Sequence, residues 1–101
     1  MSSVSLSTDH LTISGELSFE TAGEIRGALA SLVASPAPRV TVDLDGVERF
    51  DLSGVQLLYS ARVSAARAGK VLVVAPGALA VRLERMLHFA GLPRSDLGLQ
   101  G

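Results

Sequence analysis

Residues 40–66 read VTVDLDGVERFDLSGVQLLYSARVSAA. Val40 to Leu44 alternate apolar with polar side chains and carry β-branched residues, the pattern of a half-buried strand. Asp45-Gly46 is turn chemistry. From Val55 onward the apolar set Val55, Leu58, Tyr59, Val63 and Ala66, with the stem of Arg62, recurs at helical spacing. Between strand and helix lies Phe50-Asp51-Leu52-Ser53-Gly54. The stretch is a strand, a loop and a helix that begins at an acid, a serine and a glycine.

The same alternation extends outward on both sides. Val4 and Leu6 stand between serines, and Leu11, Ile13 and Leu17 alternate with polar residues. Residues 3 to 17 therefore predict a hairpin, with Thr8-Asp9-His10 as its turn. Ser18 is an N-cap residue type ahead of a first helix, whose core face is expected at Phe19, Ala22, Ile25 or Arg26, Leu29, Leu32 and Val33. Ser35-Pro36-Ala37-Pro38 ends that helix, since proline cannot continue it. Gly69 stops the second helix, with Arg67 complementing its carbonyl end. Val71 to Ala75 is apolar throughout, which predicts a strand buried on both faces in the middle of a parallel sheet. Leu79, Leu83, Met86, Leu87 and Ala90 mark the core stripe of a third helix, closed by Gly91. The order β-β-α-β-α-β-α implies an α/β fold: a mixed, mostly parallel sheet of four strands, or five if the tail adds one, with helices packed on it.

With 101 residues and a hydrophobic fraction of 48%, the chain suffices for one domain and one core. We expect that domain to span residues 1–101, with 92–101 as a short tail. Net charge is −1 and aromatics are 4%, so neither a basic surface nor stacking platforms point to nucleic acid. The absence of cysteine removes disulfides and thiolate metal sites and is compatible with a reducing cytosol. No apolar run reaches the ~18 residues of a membrane span, and the N-terminus does not read as a signal peptide. The expectation is a soluble cytoplasmic protein with no metal and no cofactor.

Within the central turn, Ser53-Gly54-Val55-Gln56 fits the capping-box spacing. The amides of Val55 and Gln56 would then face the Ser53 oxygen, and Gly54 would let another surface approach. A helix N-terminus also suits a phosphate, because its backbone N–H groups are unpaired and partly positive. Phosphorylation of Ser53 would place nearly two negative charges there, opposed by Asp51, and would change the surface more than the fold. From the residues alone, Ser53 reads first as a cap and Asp51 as a turn residue or alternative cap.

The ordered set of segments resembles the STAS domain family, which includes the bacterial anti-sigma factor antagonists. Ile13-Ser14-Gly15-Glu16-Leu17 is similar to that family's strand ending in Gly-Glu-Leu, and Thr21-Ala22 to its first helix opening. Val40 to Leu44 followed by Val47, Phe50, Asp51, Ser53 and Gly54 resembles its strand and signature loop. Gly69-Lys70 with Val71 to Val74, and Met86 to Leu92, resemble its later pieces, so the likeness covers residues 4 to 92. It implies a non-enzymatic binding module for signal transduction and transcription regulation. Its partner would be an anti-sigma factor that is also a serine kinase, and a phosphatase would reset the cycle. Ser53 would be the acceptor, and phosphorylation there would release the partner. The partner-binding loop would comprise Asp51, Leu52, Ser53, Gly54 and Gln56, with the apolar Leu52 tuning the choice of partner. The alternative is a constitutive STAS subunit of a lipid-transport ATPase complex, a chemotaxis-linked regulator or a stressosome, without a phospho-switch.

Catalytic constellations are not apparent. Ser53 lacks the Gly-x-Ser-x-Gly spacing, and neither His10 nor His88 has an evident link to it. His10 reads as an exposed turn residue and His88 as the end of the third helix. Asp43 and Asp45 read as solvent and turn residues, and Arg82, Arg85 and Arg94 as a solvated group. The uncharged stretch Val4 to Ser7, as an edge strand, could pair weakly with a second copy.

Overall fold

The structure, a computed structural model, describes residues 3–91. The residues of the expected tail, 92–101, lie outside that range. β1 (Ser3–Leu6) and β2 (His10–Leu17) form the predicted hairpin, antiparallel and in register from Ser3–Ser14 to Leu6–Leu11. β2 pairs in parallel with β3 (Arg39–Phe50), and β3 in parallel with β4 (Val71–Ala75). The sheet order is β1-β2-β3-β4, so each later strand is added at the same side. Helix α1 (Ala22–Ala34) makes the first crossover, α2 (Leu52–Arg67) the second, and α3 (Ala80–Phe89) follows β4. This is the expected α/β order with a mixed sheet.

The core is one cluster built on a sheet face and the helices, and Leu83 and Leu87 of α3 belong to it. Leu11, Ile13 and Leu17 of β2, Val40, Val42 and Leu44 of β3, and Leu72 and Val74 of β4 are buried. Against them lie Ile25, Leu29 and Leu32 of α1 and Val55, Leu58, Ala61 and Ala65 of α2. Each fully buried aliphatic side chain of this kind contributes about 1.5–3 kcal/mol. Residues of the opposite parity, among them Thr12, Ser14, Thr41, Asp43 and Val73, are only half-buried.

Four expectations are corrected by the packing. β3 does not stop at Leu44 but runs through Asp45-Gly46 to Phe50. The register slips from Thr12–Asp43 to Ser14–Gly46, and again from Gly15–Val47 to Glu16–Arg49, so β3 carries an extra residue at each place. A Cβ on residue 46 would lie 2.6 Å from the Ser14 hydroxyl, so the turn-like glycine serves a bulge inside a strand. β4 is not a central strand: it ends the sheet order of the described residues, and Val71 is 53% exposed. Its all-apolar composition concealed a one-sided burial.

The other two corrections concern helices. Phe19 is not on the α1 core face. It sits in a 3-10 turn, Phe19–Thr21, and is 75% exposed. Ser18 does head that turn, where its N–H donates to Thr21 Oγ1 at 3.1 Å. In α2 the buried face is Val55, Leu58, Ala61 and Ala65, while Tyr59 and Val63 turn outward. The small alanines allow α2 to lie close to its neighbours, and the larger residues are left outside. α2 ends as expected at Gly69, with φ +76°. Gly69 N–H donates to Ala66 C=O and Lys70 N–H to Ala65 C=O at 2.8 Å, the paired bonds of a Schellman motif. In the α3 stripe, Leu83 and Leu87 are buried and Met86 half-buried, whereas Ala90 is exposed.

Candidate partner-binding site at the head of helix α2

Parallel strands carry their chain ends to one edge of a sheet, and here that edge brings together two loops distant in sequence. β2 leaves the sheet at Leu17 and β3 at Phe50, which are register partners. The residues that follow, 18–21 and 51–54, therefore lie side by side. Asp51 N–H donates to Leu17 C=O at 3.2 Å and closes the gap.

Asp51, not Ser53, caps α2. Its backbone is extended (φ −132°, ψ 179°), and its Oδ1 accepts the Gly54 N–H at 3.0 Å. Val55 N–H donates to Asp51 C=O at 3.2 Å, the first bond of the helix. The expected cap on Ser53 is thus displaced by two positions, and the helix begins at Leu52. An aspartate is as good a cap as a serine, and its charge also complements the positive helix end. The second carboxylate oxygen, Oδ2, accepts the Phe19 N–H at 3.1 Å. One side chain therefore holds the helix start and the neighbouring loop together.

Ser53 occupies the second helical position and is half-buried. Among the described residues, no acceptor bonds the amides of Leu52 and Ser53. Leu52 is 42% exposed and Gln56 is exposed, so four residues of the expected binding loop (Asp51, Leu52, Ser53 and Gln56) reach the surface in full or in part. Gly54 does not. It is buried, and a Cβ there would meet the Leu17 carbonyl oxygen at 2.2 Å. Its missing side chain lets α2 press on β2 within the domain and does not admit an outside surface.

Sequence reasoning missed the other half of the site. The exposed Phe19 borders a cleft of about 350 Å³ lined also by Glu16, Ser18, Glu20, Arg49 and Asp51. Ser18 Oγ donates to Glu16 Oε2 at 2.9 Å, which fixes one wall. Phe50 also lines the cleft, and the Arg82 guanidinium lies 5.2 Å from its ring centroid. Arg82 Nη1 also donates to the Glu48 carbonyl at 3.2 Å, so Arg82 is tied to β3 while it stays on the exposed face of α3, as expected. No local pattern announces a contact 34 positions away.

His10 opens β2 and lies 3.7 Å from Asp43 across the sheet, and His88 packs edge-on to Phe89 in α3. Among the described residues there is no cluster of three metal-ligating side chains, and no helix is long and apolar enough to cross a membrane.

The chain belongs to the STAS domain family: the family model described as "Mlab, STAS domain" matches residues 2–99. No curated protein matches. Among solved structures, the chain is similar to the anti-sigma factor antagonist SpoIIAA in its unphosphorylated form, with a TM-score of 0.62 and 14% identity over 86% of this chain and 83% of that one. It is also similar to a Thermotoga maritima protein assigned provisionally as an anti-sigma factor antagonist, with a TM-score of 0.66 and 16% identity over 89% of this chain and 78% of that one. At these identities the likeness establishes a shared fold.

Proposed function

We propose that this chain is a non-enzymatic regulatory binding module of the anti-sigma factor antagonist type, acting in the cytoplasm and switched by phosphate on Ser53. The carrying observation is the division of labour at the head of α2. Asp51 performs the capping, so Ser53 is free of that duty and stands half-exposed beside two amides without acceptors. A phosphate there would meet the positive end of the helix, which stabilises it, and would set its charge next to the Asp51 carboxylate. Leu52 and Gln56 would contact the partner, which we take to be an anti-sigma factor with serine kinase activity. The unphosphorylated surface would bind, the phosphorylated one would not, and a phosphatase would restore it. The fold shared with SpoIIAA, an anti-sigma factor antagonist described in its unphosphorylated form, supports this reading.

Peptide mass spectrometry of the chain recovered from its native cells tests the switch. Phosphate should be found on Ser53. A chain that cycles on and off its partner with Ser53 unmodified would sink the proposal.

A second reading is favoured by a different observation. Asp51 ties the two loops together without any modification, and the exposed Leu52 and Phe19 form an apolar surface that would serve a partner without a charge change. On that reading the chain is a constitutive subunit of another assembly, such as a lipid-transport ATPase complex, and Ser53 carries no phosphate.

A further inference from the structure

We infer that Asp51 is a positioning residue that transmits the charge state of Ser53 to Phe19, so that the partner-facing surface spans both loops and is altered as one unit. This rests on the phospho-switch reading of Ser53. Three observations carry it. The two oxygens of one carboxylate bond amides from two segments, Gly54 N–H at 3.0 Å and Phe19 N–H at 3.1 Å. Phe19 is 75% exposed and Leu52 is 42% exposed, so the linked loops each present an apolar side chain to solvent. The link joins residues 32 apart in sequence, with its backbone end anchored by the bond from Asp51 N–H to Leu17 C=O.

The mechanism is competition and repulsion. A negative group on Ser53 enters the same positive helix end that the Asp51 carboxylate caps, and it repels that carboxylate. Rotation of that carboxylate away from Gly54 also withdraws its other oxygen from Phe19, because both belong to one rigid planar group. The Phe19 amide then loses a charge-assisted bond, and the 3-10 turn that carries the ring loses its tie to α2. A modification at one point would thereby move an aromatic contact on the neighbouring loop. Gly54 and Leu17 stay fixed, since their contact leaves no room to shift.

Amide hydrogen exchange read by NMR on the partner-free chain tests this apart from any binding. Ser53→Glu should speed exchange at Phe19 about tenfold, with Val42 and Val74 in the core unchanged. Asp51→Asn keeps a capping oxygen but cannot serve both amides, so Phe19 should exchange fast already and respond no further when Ser53→Glu is added. If Asp51→Asn does not fold, Ser53→Gln replaces it as the control and should leave Phe19 as in wild type. The inference is overturned if Ser53→Glu leaves Phe19 within twofold of wild type. It is equally overturned if the response persists without the Asp51 carboxylate, or if Ser53→Gln reproduces it. Failure here with phosphate present on Ser53 would remove the relay and leave the switch standing.

Discussion

Asp51 and Gly54 do more for the site than the serine between them. Asp51→Ala removes the cap of α2 and the tie to Phe19, and should cost about 1–2 kcal/mol in urea denaturation. Ser53→Ala should stay within about 0.5 kcal/mol of wild type, because Ser53 caps nothing. The reverse order would restore the capping box at Ser53. Gly54→Ala should cost about 3 kcal/mol, since the Cβ would sit 2.2 Å from a backbone oxygen that cannot move without breaking the β2 end. A loss under about 0.5 kcal/mol would mean that α2 is not seated on Leu17. At this scale the sequence was only half informative. Aspartate and serine are both capping residues, and local spacing cannot choose between them. The choice is made by tertiary contact, because Gly54 is the residue that must lie under Leu17.

Helix α1 illustrates what an element owes to its own residues and what to its setting. Gly23 and Gly27 weaken it intrinsically, and beyond the adjoining helix backbone neither has an atom within 4 Å of where a Cβ would be. They do not serve close packing on the sheet. Gly23→Ala and Gly27→Ala should each raise stability by about 0.5–1 kcal/mol, read as a shift in the urea midpoint at constant slope. A destabilising result would show that this face is packed. Periodicity located α1, α2 and α3 because helix-forming apolar stripes are a local signal. It misplaced Phe19, Tyr59, Val63, Ala66 and Ala90 because apolar residues also occur outside the stripe. It misread β4 because five apolar residues look the same at the edge of a sheet as in the middle.

For the whole molecule, the element order was legible because each strand–helix alternation is written in a short window, and only a few topologies satisfy it. The strand order and the joining of the two loops were not legible, because they depend on the pairing of Leu17 with Phe50 across the parallel sheet. That pairing gathers Phe19, Asp51, Leu52 and Ser53 into one surface. On the proposed reading, charge on Ser53 decides whether this surface holds its partner. Titration of the cognate kinase against wild-type, Ser53→Ala and Ser53→Asp protein, each checked for an unchanged unfolding midpoint, measures it directly. Ser53→Ala should bind as wild type and Ser53→Asp about 100-fold more weakly, the scale of a like-charge clash in an interface. Equal affinity of all three proteins would contradict it and leave a constitutive subunit.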